Sequence, residues 1–150
     1  MSRGTIAIGS DHAAFERKAE LIDVLTQWDF DVVDCGTDSP DSVDYPDIAQ
    51  AVCENVTAGE CEKGIVICGT GIGISIAANK IEGIRCALCS EGYSARMARE
   101  HNDSNVLAMG ARTIGTELAI DIMRIWLDSQ FDGAERSIRR VDKIMRLQGK

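Results

Sequence analysis

Five short apolar runs alternate with stretches of helical spacing along this chain, and that alternation restricts its fold more than any other feature. Thr5–Gly9 (TIAIG) is followed by a helical pattern over Ala13–Trp28, with Leu21, Ile22 and Leu25 on one face. Asp31–Asp34 is a second extended run, closed by Cys35-Gly36, and the polar loop 37–46 holds both prolines. Pro46 suits the first turn of a helix reaching about Ala58. Gly64–Cys68 (GIVIC) lacks polar side chains, as expected of a strand buried on both faces. A Gly-rich turn and a helix to about Lys80 follow. Ile84–Cys89 and Asn105–Gly110 are the last two extended runs. The helices after them span about Tyr93–Glu100, Gly115–Ser129 and Glu135–Gln148, the last with Ile138, Val141, Ile144 and Met145 on one face.

Strand followed by helix, five times over, predicts an α/β fold: a five-stranded parallel sheet in a three-layer α/β/α sandwich, Rossmann-like, with a C-terminal helix added. The 150 residues form one domain, with no linker or repeat. Ligands bind such sheets beyond the carboxyl ends of the strands. The loops to read are therefore Ser10–Ala14, Cys35–Pro46, Cys68–Gly73, Ser90–Tyr93 and Gly110–Thr113.

Charge narrows the partners. A formal net charge of −8 repels nucleic acid and anionic membranes as a whole, so neither is an expected partner. No apolar run approaches the ~20 residues of a membrane helix, and the start of the chain does not resemble a signal peptide, so the expected compartment is the cytoplasm. An anionic substrate would have to meet a local cationic cluster. Arginines gather late: Arg112 follows the fifth strand, and Arg136, Arg139 and Arg140 open the last helix. Arg136 and Arg140, four apart, share a face and can hold a phosphate between two guanidinium forks, although a solvated basic helix has the same spacing.

The segment Cys68-Gly69-Thr70-Gly71-Ile72-Gly73-Ile74-Ser75 carries the most chemistry. Its glycines let backbone approach a ligand, and the free N–H groups of the following helix face an anion or developing oxyanion. A thiol beside a helix N-terminus is favoured as thiolate, a base or nucleophile near neutral pH, whereas a buried structural cysteine also fits the end of an apolar strand. Neither a P-loop lysine nor the third glycine of a dinucleotide fingerprint is present, since Ile74 stands in that place. Asp11 and His12 follow the first strand, on the same side of the sheet; Asp11 equally suits a cap of the first helix. His101 closes a helix, where the dipole alone also favours a histidine. Cys86 and Cys89 form a C-x-x-C on an apparent strand. Residues three apart there point to opposite faces, so no metal site is expected.

Ser10-Asp11-His12-Ala13, Asp44-Tyr45-Pro46, Cys68 to Lys80, Ser90 to Ala95, Glu100 to Asp103 and Asn105 to Gly110 together resemble the ribose-5-phosphate isomerase B family, in order and over nearly the whole chain. The resemblance implies a dimer or dimer of dimers that interconverts ribose 5-phosphate and ribulose 5-phosphate without metal or organic cofactor. It implies Cys68 as the base at sugar C2, with Thr70 and the amides of Gly69, Gly71, Ile72 and Gly73 around the enediolate. Tyr45 and Ser75 would line the site. Asp11 and His101 would open and close the furanose ring, Asn102 would hold the reacting end, and His12, Arg112, Arg136 and Arg140 would bind phosphate. Some relatives use a carboxylate in the Gly-rich loop; residues 69–75 carry no acid here, which fits the thiol variant. The family's last helix often begins Gly-Gly-Arg-His, whereas this chain reads Gly133-Ala134-Glu135-Arg136-Ser137, one residue longer and with Ser137 for the histidine.

Topology adds one expectation. His101 lies at the amino end of the sheet and Cys68 at the carboxyl end, ~17 Å apart along a five-residue strand. If both serve one bond, they must meet across a homodimer interface. Two rival readings stay open: an isomerase of another aldose phosphate, such as allose 6-phosphate or galactose 6-phosphate, and a non-catalytic Rossmann-type nucleotide-binding domain with Glu91 as its ribose-binding acid.

Overall fold

The computed structural model describes residues 1–149. Strands β1 (Thr5–Ser10), β2 (Asp31–Asp34), β3 (Lys63–Cys68), β4 (Cys86–Leu88) and β5 (Val106–Gly110) form one parallel sheet in the order β2-β1-β3-β5-β4. Helices α1 (Phe15–Gln27), α2 (Tyr45–Thr57), α3 (Ile72–Ala78), α4 (Gly92–Glu100), α5 (Thr116–Asp128) and α6 (Glu135–Gln148) follow in the expected sequence. The α/β/α sandwich with a parallel sheet and an added C-terminal helix is therefore the observed architecture.

Alternation along the strands sorts the core into two layers. Ile6, Ile8, Ile65, Ile67, Leu107 and Met109 point to one face and meet Leu21 and Leu25 of α1, Ala95 and Ala98 of α4, and Ile122, Met123 and Trp126 of α5. Ala7, Val66, Cys68, Val106 and Ala108 point to the other and meet Ala49, Val52 and Cys53 of α2 and Ile74 and Ala78 of α3. Truncating a fully buried side chain such as Ile65 to alanine would cost about 2–5 kcal/mol. Trp126 has its one polar group satisfied: the indole N–H donates to Ser104 Oγ at 2.8 Å, inside the core. The C-x-x-C divides as its spacing requires, Cys86 packing with the α2/α3 layer and Cys89 with the α1/α4/α5 layer.

One boundary differs from the sequence reading. The run Ile84–Cys89 pairs as a strand only over Cys86–Leu88. The side-chain amide of Asn105 intervenes, its Oδ1 accepting from the Arg85 N–H at 2.8 Å and its Nδ2 donating to the Gly83 carbonyl at 2.9 Å. Asn79 holds the outer edge of β4 through both backbone groups of Cys86, at 2.8 and 2.9 Å. These contacts satisfy edge groups that would otherwise invite a further strand. The far end of α6 docks against the turn before β4, where Gln148 donates to the carbonyls of Ile81 and Ile84 and accepts from the Gly83 N–H.

Neighbouring strands β1 and β3 lead in opposite directions across the sheet, β1 toward β2 and β3 toward β5. Their carboxyl ends thus flank a topological switch point, where open α/β sheets form a crevice. No helix among the described residues is long and apolar enough to cross a membrane.

Candidate active site

Cys68 ends β3 at that crevice and is 5% exposed. Its sulfur accepts the backbone N–H of Gly71 at 3.1 Å. Gly71 has a φ of +79°, the left-handed region, and caps the start of α3. A side chain there is excluded twice over, because a Cβ would also lie 2.8 Å from the Met109 carbonyl carbon. Thr70 Oγ1 accepts the N–H of Ile72 at 3.1 Å, and Ser75 Oγ donates to the Ile72 carbonyl at 2.7 Å, so the turn is braced on both sides. Gly73 follows in the first helical turn, where helix geometry supplies no intrahelical acceptor for its amide. Tyr45, from the start of α2, lies over it so closely that a Cβ would sit 2.6 Å from the ring.

Arg112 reaches the same loop. Its N–H donates to the Gly69 carbonyl at 2.9 Å, and a Cβ on Gly69 would lie 3.5 Å from Arg112 Cδ. The carbonyls of Ala111 and Ile114, either side of this turn, accept from the guanidinium of Arg17. Arg17 was not singled out in the sequence; an arginine in the first turn of a helix, where the dipole disfavours a cation, is the signal that could have found it.

Asp11 and His12 complete the carboxyl-end cluster. The N–H of Asp11 donates to the Ile67 carbonyl, tying the β1 loop to the end of β3. The Asp11 carboxylate accepts from the Ala13 N–H at 3.0 Å and so closes a tight turn rather than capping α1, whose cap position is Ala14. Nδ1 of His12 accepts from the Val43 N–H at 3.2 Å, so in the neutral ring the proton sits on Nε2. Asp11, His12 and Tyr45 line an open cleft of about 520 Å³.

The other five thiols are all shifted upward by burial. The Cys53 thiol is pushed up to about 12 and Cys89 up to about 11, both chiefly by desolvation, and Cys86 higher still by the same cause. Cys35 and Cys61 are also raised by burial. Those five favour the unreactive thiol form.

At the opposite end of the sheet a second cleft, about 160 Å³, is lined by His101, Asn102, Arg136, Ser137 and Arg140. His101 is the residue that closes α4, its N–H donating to the Met97 carbonyl at 2.9 Å. Pairing of Gly64 with Val106 and of Cys68 with Gly110 shows that β3 and β5 run side by side between the two clefts. The sequence-predicted residues thus fall into two groups within one chain. Asp11, His12, Tyr45, Cys68, Gly69, Thr70, Gly71, Ile72, Gly73, Ser75 and Arg112 gather at the carboxyl end, and His101, Asn102, Arg136 and Arg140 at the amino end. The expected cation cluster is divided the same way, with Arg112 apart from the other two arginines.

The nucleotide-binding alternative loses its acid. Glu91 Oε2 accepts from the Ser94 N–H at 2.8 Å and caps α4, and the bonds from Ser94 hold its carboxyl below the ordinary range.

The ribose/galactose isomerase family profile matches residues 6–144. The chain belongs to the ribose/galactose isomerase family. Ribose-5-phosphate isomerase B of Escherichia coli is 50% identical over 139 residues, 93% of each chain. D-erythrulose-4-phosphate isomerase of Pectobacterium atrosepticum is 44% identical over 141 residues, covering 93% of this chain and 92% of that one. Among solved structures, ribose-5-phosphate isomerase B of Clostridium thermocellum superposes with a TM-score of 0.95 at 52% identity, covering 97% of both chains.

Proposed function

We propose that this member of the family interconverts D-ribose 5-phosphate and D-ribulose 5-phosphate in the non-oxidative pentose phosphate pathway, with Cys68 as the base. The observation that carries this reading is the Cys68 thiol at the switch-point crevice, its sulfur held against the Gly71 amide at the start of α3. In the aldose-to-ketose direction, the Cys68 thiolate takes the proton from C2. The C–H electron pair becomes the C1–C2 double bond and charge collects on O1. The same proton returns to C1 while the O2 hydroxyl proton passes to O1, leaving a ketone at C2 and a hydroxymethyl group at C1. Amides of the 69–73 turn and Thr70 are placed to hold the enediolate oxygens, which is where fixed dipoles lower the barrier most. Nδ1 of His12 is taken by the Val43 N–H, which leaves its Nε2 to meet the phosphate, with Arg112 as a second contact.

Asp11 and His101 act on the ring oxygen and the anomeric hydroxyl, with Asn102 holding the reacting end, and Arg136 and Arg140 complete the phosphate site. For these groups to join Cys68, a second copy must bring its amino-end cleft to the carboxyl-end crevice. We therefore place the enzyme as a homodimer with two shared sites, alone or as a dimer of dimers. Support comes from apolar side chains left in solvent beside the crevice: Ile72 is 53% and Ile76 57% exposed on α3, and Leu88 is 41% exposed on β4. Such a patch marks an interaction surface. A thiol base must stay reduced, which suits a cytoplasmic setting.

The test is a panel of aldose phosphates of four, five and six carbons, with no added metal and ketose formation as readout. Ribose 5-phosphate should give the highest kcat/KM. A four-carbon or six-carbon aldose phosphate turning over faster would move the substrate while keeping the reaction. No ketose from any sugar would end the reading.

A further inference from the structure

One residue hydrogen-bonds both elements that frame the amino-end cleft. The backbone N–H of Asp132 donates to the carbonyl of Glu100, the last residue of α4, at 2.9 Å. Its carboxylate accepts from the Ala134 N–H at 2.9 Å through one oxygen and from the Ser137 hydroxyl at 3.2 Å through the other. Ala134 is the cap position of α6, where its own side chain supplies no acceptor, and Ser137 lies in the first turn, 4% exposed. Between them Gly133, at φ +66°, turns the chain back so that the carboxylate can reach the helix start.

The neighbours of these contact points are the functional side chains. His101 follows Glu100 directly, and Arg136 immediately precedes Ser137. We infer that Asp132 is a positioning residue that sets Arg136 and Arg140 at a fixed distance from His101 and Asn102, with Ser137 as the second half of the latch. The inference rests on the proposed reading of this cleft as part of the sugar-phosphate site. Asp132 is exposed, so solvent screens its charge. Its hydrogen bonds, not its field, carry the role. The acyclic substrate spans the distance between a phosphate held by Arg136 and the carbonyl carbons near His101, and a small rotation of α6 about its first turn would misplace one against the other.

Kinetics of the full-length enzyme with ribose 5-phosphate test this. Asp132→Ala should raise KM about tenfold while kcat falls less than about threefold, the split expected when substrate placement is lost but the base is intact. Asp132→Asn keeps an oxygen for the Ala134 N–H and offers an N–H to the Ser137 hydroxyl, so it should stay within about twofold of the native enzyme. Asparagine behaving like alanine would overturn the latch. Ser137→Ala removes one link and should raise KM about threefold; it keeps the test alive if Asp132→Ala fails to fold, and an unchanged KM overturns the inference. The double variant Asp132→Ala/Arg136→Ala should be no worse in KM than Arg136→Ala, and additive losses would show that Asp132 does not act through Arg136. Arg136→Ala also separates the two levels. If it leaves ribose 5-phosphate kinetics unchanged, the cleft reading falls and this inference with it. If it raises KM while Asp132→Ala does not, only the inference is overturned.

Discussion

At the carboxyl end of the sheet, Cys68 is almost fully buried and its sulfur sits against the Gly71 amide, in a turn whose hydrogen bonds run through backbone and short side chains. At the amino end, His101, Asn102, Arg136 and Arg140 are exposed and come from the ends of two helices. The first region is finished by the fold of one chain. The second has its cations in place but, within one chain, no group to act with. The difference matches the chemistry proposed for each. A proton transfer between adjacent carbons needs donors fixed to within fractions of an ångström, which backbone supplies without reorganisation. Phosphate recognition works through long charged side chains that close on a ligand.

The comparison breaks most visibly at Cys68. Cys68→Ala should lower kcat by about 10²–10⁴-fold, the usual contribution of a general base, and Cys68→Ser should recover little because an alcohol is a far weaker base. Iodoacetamide should inactivate the native enzyme and substrate should slow that loss, since the other five thiols are held in the unreactive form. Near-native turnover in Cys68→Ala would remove the base from the carboxyl end altogether.

Mixed assemblies test whether the two ends complete each other. Cys68→Ala and His101→Asn proteins should each be nearly inactive. Unfolded together in equal amounts and refolded, roughly half the dimers should be mixed, each with one intact site, so about a quarter of the sites return. Heterodimers that form without regaining activity would place both residues at work within one chain, or leave one of them idle.

Arg136→Ala and Arg140→Ala should each cost about 2–4 kcal/mol of binding or transition-state stabilisation toward ribose 5-phosphate, as expected for a lost charge-assisted contact. Unphosphorylated ribose should be affected less. Equal losses on both sugars would argue that the amino-end cations do not meet phosphate.

The smallest effect concerns stability. The Cys53 thiol is raised from 9.0 to about 12 by burial. A raised pKa means the folded state keeps its proton while the unfolded chain loses it, so the stability it contributes is complete below about pH 9 and is lost as pH rises toward 12. Urea denaturation of the native protein and of Cys53→Ala should therefore converge by about 2–3 kcal/mol between pH 8 and pH 11. A constant gap across that range would contradict the burial described for the α2/α3 layer.

Much of this is legible in the sequence. The strand at Gly64–Cys68 and the glycine turn after it announce themselves by local chemistry, because an unbroken apolar run and a left-handed capping residue depend only on neighbours a few positions away. Pro46 marked the first turn of α2 for the same reason. The shortened β4 was not legible, because Asn105 and Asn79 are 20 and seven residues from the backbone groups they satisfy. Nor was Arg17, whose partners Ala111 and Ile114 lie 94 and 97 residues on. Nor was the place of Asp132, whose contact with Glu100 is made across a strand and a helix, β5 and α5.

The sequence by itself determined the elements, their order, the parallel sense of the sheet and the end of it at which Cys68 stands. Each follows from hydrophobic period, turn residues and the handedness of the crossover, all of which act over short stretches of chain. Only the tertiary structure decided which strands are neighbours, which amide meets the Cys68 sulfur, and that Arg112 stands at the opposite end of the sheet from Arg136 and Arg140. Those contacts join segments far apart in the chain, and their geometry is settled by how the helices pack on the sheet's two faces, a property of the whole core rather than of any one segment.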